Sequence, residues 1–170
     1  MSVENLLVEM LGAVPHWFAV MVIGALPISE LRGAIPVAMG IYGMRPLEAY
    51  FLSVFGNLIP VVPLLLFLEP VSGYLRRYHI FDVFFTWLFS RTRKNHSKNF
   101  EKYGLLALTL FVAVPLPVTG AWTGCAAAFV FGIKFKHSFP AIAAGVMIAG
   151  IIVTAVTMTG MGLADLIFGV

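Results

Sequence analysis

The stretch ALPISELRGAIPVAMG, residues 25–40, sets a carboxylate, Glu30, and a guanidinium, Arg32, two residues apart in a run that otherwise reads as lipid-soluble. The apolar segment that begins at Trp17 stops at LPISELRG, and a second of similar length runs from Gly33 to Tyr42. Crossing a hydrocarbon core about 30 Å thick takes about 20 helical residues. Each arm here reaches about 15 Å at 1.5 Å per residue, half the membrane. Pro27 lacks an amide hydrogen and clashes with the preceding turn, and Gly33 loosens the chain again. The pattern predicts a re-entrant hairpin with its tip near the bilayer midplane, its irregular backbone facing protein or a wet cavity. A single proline-kinked spanning helix is the rival reading.

Composition supports a membrane setting throughout. Hydrophobic residues make up 60% of the 170, charged residues 11%, and the mean hydropathy is +0.95, far from a soluble domain. Four apolar tracts, about 17–42, 50–68, 105–131 and 139–170, fill most of the chain and imply one membrane domain, 1–170. The first residues carry Glu4 and Glu9 where a secretory leader would be positive, so they read as a short amphipathic surface helix. Cys125 is the sole cysteine, and His16, His79, His96 and His137 lack liganding spacing. We therefore expect no cofactor and no metal. The net charge of +3 is concentrated in one loop of a lipid-embedded chain, which argues for membrane-side anchoring and against nucleic acid.

The stretch LLALTLFVAVPLPVTGAWTGCAAAFVFG, residues 105–132, repeats the broken plan, with Pro115, Pro117, Gly120 and Gly124 at the interruption. An offset of about 90 residues lays Pro27-Ile28-Ser29 on Pro117-Val118-Thr119, and a one-residue adjustment aligns Gly43 with Gly132 and Gly56 with Gly145. A longer apolar helix follows each interruption, so the chain reads as a duplication. Repeat one covers about 15–69 and repeat two about 104–168.

A hairpin returns to its starting side and the long helix crosses, so each repeat crosses once and the two must be inverted. In that arrangement Arg76, Arg77, Arg91, Arg93, Lys94, Lys98, Lys102, Lys134 and Lys136 share one face and Arg45 stands alone on the other. The positive-inside rule favours this over kinked spans, with both termini outside. Between the repeats, about 70–103, Phe81, Phe84, Phe85, Leu88 and Phe89 recur at helical spacing beside a basic run, which predicts an interfacial amphipathic helix. The fold expected is an all-α integral membrane protein of two inverted repeats, each a re-entrant hairpin plus a transmembrane helix.

The returning arms begin near Ser29 and Thr119, both good N-caps. Two helix amino termini with unpaired amides would converge on a site suited to an anion. Arg32 adds a charge and a donor fork for phosphate or carboxylate, unless it serves as a buried counter-ion for Glu30 or Glu69. Ser29, Arg32, Gly33, Asn57, Thr119 and Gly120 are the candidate substrate-binding residues, and Pro27, Pro36, Pro115 and Pro117 the breakers of the tips. Glu30 would repel an anion, but a desolvated carboxylate is often protonated. That makes it a candidate proton carrier, against the plainer reading of a capping or paired carboxylate. Asn57 either reaches the tips or bonds across helices beside Gly56. Trp122 stands where the first tip has Arg32, so the second lacks the ionisable pair. Thr154, Thr157 and Thr159 read as bonding their own backbone, and the small residues between Gly124 and Gly150 as permitting close helix packing.

The motifs PISELRGAIPVAMG and PLPVTGAWTG, with the duplication and the short length, resemble the small multidrug export protein family, itself similar to the DedA superfamily of paired re-entrant hairpins. By that resemblance Glu30 and Arg32 carry function, and polyprenyl phosphate or phospholipid translocation driven by proton-motive force is implied. The second hairpin departs from the DedA pattern, because residues 118–122 offer no arginine.

The expected function is proton- or ion-coupled transport of an anionic amphiphile in a multi-pass prokaryotic cell membrane. Membrane lipids are the surroundings, H+ or Na+ the candidate coupling ion, and a homodimer a reasonable assembly. The alternatives are a proton-coupled exporter of lipophilic cations and a non-transporting scaffold. No nucleophile and base pair, metal set or phosphate loop suggests an enzyme.

Overall fold

A computed structural model describes residues 14–75, 98–115 and 119–168. All the regular structure among them is helical: α1 His16–Ala25, α2 Glu30–Pro36 running into a π-helical turn Val37–Ile41, α3 Pro46–Leu58, α4 Val61–Leu75, α5 Lys98–Ala113, α6 Ala121–Val130 and α7 Phe135–Phe168. The surface-helix reading of the first residues and most of the interfacial-helix reading lie outside the described residues. The flanks of the linker continue α4 to Leu75 and start α5 at Lys98.

Helix α1 is apolar on all sides, the composition of a helix surrounded by protein and lipid. Ala19, Val20 and Gly24 are buried while Trp17, Phe18 and Val22 are exposed. It stops at Leu26, which is extended (φ −73°, ψ 138°), as Pro27 requires of the residue before it. The chain then bends, and α2 with its π-helical turn packs back along α1. The rings of His16 and Tyr42 stack at 4.4 Å between centroids and 15° between planes. The start of the outgoing arm and the end of the returning arm are therefore neighbours. A kinked spanning helix would separate those residues by about 39 Å at 1.5 Å per residue.

Pro36 corrects an expectation, because it breaks no tip. It lies inside the returning helix at the junction of α2 and the π-helical turn, both sides helical. Proline withholds one amide from the helix, and the wider π pattern absorbs the local mismatch.

The returning arms of the two helical hairpins end alike. Gly43 has φ +60° and Gly132 φ +68°, left-handed positions where glycine is at home. Past Gly43, the Met44 amide donates to the Ala38 carbonyl at 2.9 Å, and past Gly132 the Ile133 amide donates to Ala128 at 2.9 Å. Both close carbonyls that a helix end leaves open.

Two stretches have the length and hydropathy to cross a membrane, Pro46–Leu68 and Phe135–Gly162, with mean hydropathy 2.2 and 2.3. The first is interrupted between α3 and α4 at Ile59 and Pro60. The chain packs as two compact units, one of Met1–Asn57 with Ala149–Val170, the other of Leu58–Ile148. Each unit thus holds a hairpin, the first part of the long helix that follows it and the last part of the other long helix.

Close backbone approach organises each unit. In the first, a Cβ on Gly56 would overlap the Met21 carbonyl oxygen and lie 2.7 Å from Met21 Cα, so α3 rests directly on α1. Gly150 of α7 presents no side chain to Tyr50 and Val54 of α3. In the second, a Cβ on Gly145 would lie 2.7 Å from the Thr109 carbonyl oxygen, and one on Gly124 would lie 2.5 Å from Val112 Cγ2. The aligned glycines Gly56 and Gly145 each seat a long helix on the outgoing arm of its own hairpin.

Candidate functional site

The first bend is built by local rules up to Leu26 and by tertiary packing beyond it. Leu26, Pro27 and Ile28 point outward, Ile28 with 92% of its surface exposed. Ser29 does not cap α2. It sits in the αR region (φ −91°, ψ −47°) without a cap hydrogen bond, and its hydroxyl donates backward to the Ile23 carbonyl at 2.6 Å. An N-cap needs an extended backbone to aim its oxygen at the amides ahead. The bend instead aims it at the Ile23 carbonyl of α1, which also accepts the Leu26 amide at 3.3 Å. Gly33 makes room for this, because a Cβ there would lie 2.6 Å from Ser29 Cβ.

Thr119 turns the same way. Its hydroxyl donates to the Val114 carbonyl at 2.5 Å, and Gly120, buried and extended, is the residue that precedes α6. Ser29 and Thr119 are therefore clasps of the outgoing arms. The Glu30 amide is also engaged, donating to the Leu26 carbonyl at 3.0 Å. The expectation of an open amide at that position is corrected.

Glu30 is the unusual residue of the bend. Only 6% of its surface is exposed, and its φ of +45° is the one positive value at a non-glycine position among the described residues. A side chain in that region costs roughly 1–2 kcal/mol. Such strain persists where the surroundings overdetermine it, which is common at working sites. Arg32, half-buried one half-turn further on, makes no ion pair among the described residues.

Asn57 lies in the last turn of α3, 1% exposed, and its Oδ1 has no hydrogen-bond partner. The cross-helix bond open to it from sequence is not made by that oxygen. Ser53, one turn earlier and fully buried, likewise leaves its hydroxyl without a partner. Sequence reasoning passed over Ser53; the S-x-x-x-N spacing, which puts both on one helix face, is the signal that finds it. Both residues lie beside α1, since a Cβ on Gly24 would sit 2.9 Å from the Ser53 carbonyl oxygen and 3.4 Å from the Asn57 backbone nitrogen.

The second bend carries less polar chemistry. Trp122 borders a 290 Å³ cavity with Pro60, Pro63, Leu64, Phe67 and Leu68, walls that offer no polar group. Pro115 follows α5, and Pro117 is outside the described residues. The hydroxyls of Thr154, Thr157 and Thr159 donate to Gly150, Val153 and Ala155 at 2.7–2.9 Å, the local backbone bonding read from sequence. No three His, Cys, Asp or Glu side chains group as metal ligands among the described residues.

The family model described as "Putative small multi-drug export protein" matches residues 30–152. No curated protein and no solved structure matches the chain.

Proposed function

The chain belongs to the small multi-drug export protein family, and from that premise we propose that it is an ion-coupled transporter of an anionic amphiphile, and no enzyme, in a prokaryotic cell membrane. The observation that carries the reading is Glu30, a carboxylate buried in a left-handed backbone position at the bend of a short apolar hairpin. Burial of a carboxylate and a left-handed backbone are each unfavourable in themselves, and a proton-carrying role supplies a reason to keep both.

In this reading the first hairpin is re-entrant and its bend lies within the bilayer. Exposed Leu26, Pro27 and Ile28 suit lipid contact, and the joined ends at His16 and Tyr42 suit one membrane face. Arg32 binds the anionic head through its planar donor fork, which suits phosphate. Glu30 carries the proton, neutral while the head is bound and ionised after it leaves. The tails remain in lipid, so a short chain need not enclose the whole substrate.

A second reading, proton-coupled export of lipophilic cations, draws on the family's description and on the same carboxylate acting as the cation's partner. Flux into proteoliposomes separates the two. A fluorescent short-chain lipid phosphate should move in a manner that depends on Arg32 and Glu30, with Arg32→Ala reducing uptake and Glu30→Gln uncoupling it from a pH gradient. Movement of a cationic dye alone, lost in Glu30→Gln and kept in Arg32→Ala, would establish the second. Flux of neither probe from folded protein would favour a scaffold.

A further inference from the structure

Duplication supplies an internal control for the two orphaned oxygens of α3. With Gly56 aligned on Gly145, Ser53 falls on Ile142 and Asn57 on Val146. Ile142 is fully buried and Val146 is 1% exposed, matching Ser53 at 0% and Asn57 at 1%. The position on the long helix is therefore equally buried in both repeats, and apolar side chains fill it in the second. In the first, a hydroxyl and an amide oxygen occupy it without partners. Each such atom is unfavourable when left unsatisfied in the interior.

Ser53 also forgoes the easy remedy. Ser138 donates to the carbonyl four residues back, at Lys134, and Thr154, Thr157 and Thr159 make the same bond. Ser53 Oγ makes none.

Both sit near a helix end of negative character. Pro60 has no amide to send to the Gly56 carbonyl, so the last turn of α3 lacks that helical bond. The carbonyl end of a 13-residue helix carries a partial negative charge, about half an elementary charge, that favours a cation. Broken helices whose open carbonyls meet side-chain oxygens are the means by which transporters hold small cations at membrane depth. Neutral oxygens are not the carboxylate ligands that divalent cations prefer, which points to a single charge.

We infer that Ser53 Oγ and Asn57 Oδ1, at the carbonyl end of α3, bind a desolvated monovalent cation of the Na+ class, which serves as a coupling ion. The inference rests on the transporter reading for the ion's purpose but not for its binding, which is measured without substrate.

Thermal unfolding of the full chain in detergent is followed in NaCl and in choline chloride at equal ionic strength. A saturable rise in Tm with NaCl, absent with choline, is the expected result. Ser53→Ala and Asn57→Ala should each weaken the apparent Na+ affinity by about tenfold. The double variant Ser53→Ile/Asn57→Val, which installs the side chains of the second repeat, keeps the site testable if a single variant folds poorly. It should match or exceed the wild-type Tm in choline and gain nothing from Na+. Equal Tm in the two salts, or the same Na+ response in wild type and the double variant, overturns the inference. Failed lipid-phosphate flux with an intact Na+ response would instead count against the proposed substrate alone.

Discussion

His16 and Tyr42 lie twenty-six residues apart in the chain and ring to ring in the structure, 4.4 Å between centroids. That stack ties the entrance of the first hairpin to its exit. With His16→Cys and Tyr42→Cys in a Cys125→Ala background, a short bismaleimide should join the pair in native membranes. Impermeant reagent should also reach both from one side. A chain kinked once and spanning the bilayer would hold them about 39 Å apart and give no product.

Glu30 separates backbone from side chain in one experiment. Glu30→Ala and Glu30→Gly both remove the carboxylate, but only glycine accepts φ +45° without strain. The glycine variant should be the more stable by about 1 kcal/mol, read as the higher Tm in detergent. Equal stability would mean the bend relaxes once the carboxylate is gone. Both variants should lack coupled flux.

Gly56→Ala and Gly145→Ala drive a methyl group into the backbone of Met21 and Thr109, groups that cannot rotate aside. Each should cost about 1–3 kcal/mol. Gly104→Ala and Gly160→Ala meet nothing within 4 Å and gain helix propensity, so they should be neutral or stabilising by up to about 1 kcal/mol. Comparison of the four midpoints tests the two helix seats together.

Ser29→Ala removes the hydroxyl that donates to the Ile23 carbonyl, and Thr119→Ala the one that donates to the Val114 carbonyl. Each loss should cost about 1 kcal/mol. Protection of the neighbouring amides in hydrogen exchange should fall locally, in residues 23–33 for the first and around 114–120 for the second.

Much of this was legible in the residues themselves. The half-length arms, the positions of Pro27 and Pro115, the alignment of Gly43 with Gly132 and of Gly56 with Gly145, and the self-bonding of Thr154, Thr157 and Thr159 all follow from local chemistry. A proline lacks its amide wherever it sits, and a helix of ten residues is short in any fold. Pro36 misled because its effect depends on context: the same missing donor that ends one helix is absorbed by a π-helical turn in another.

By itself the sequence determined that this is a membrane protein of the small multi-drug export family, apolar and helical, with a carboxylate and a guanidinium placed at one bend. Those properties are carried by composition and by covalent backbone chemistry, and they survive any rearrangement of the helices. Only the tertiary structure decided that the first arm returns to its origin, that Ser29 and Thr119 clasp backward instead of capping forward, and that Ser53 and Asn57 lie buried with oxygens unanswered. A hydroxyl bonds whatever oxygen the fold brings within about 3 Å, and that distance is a property of the packed bend, with Gly24 and Gly33 setting how closely its walls approach.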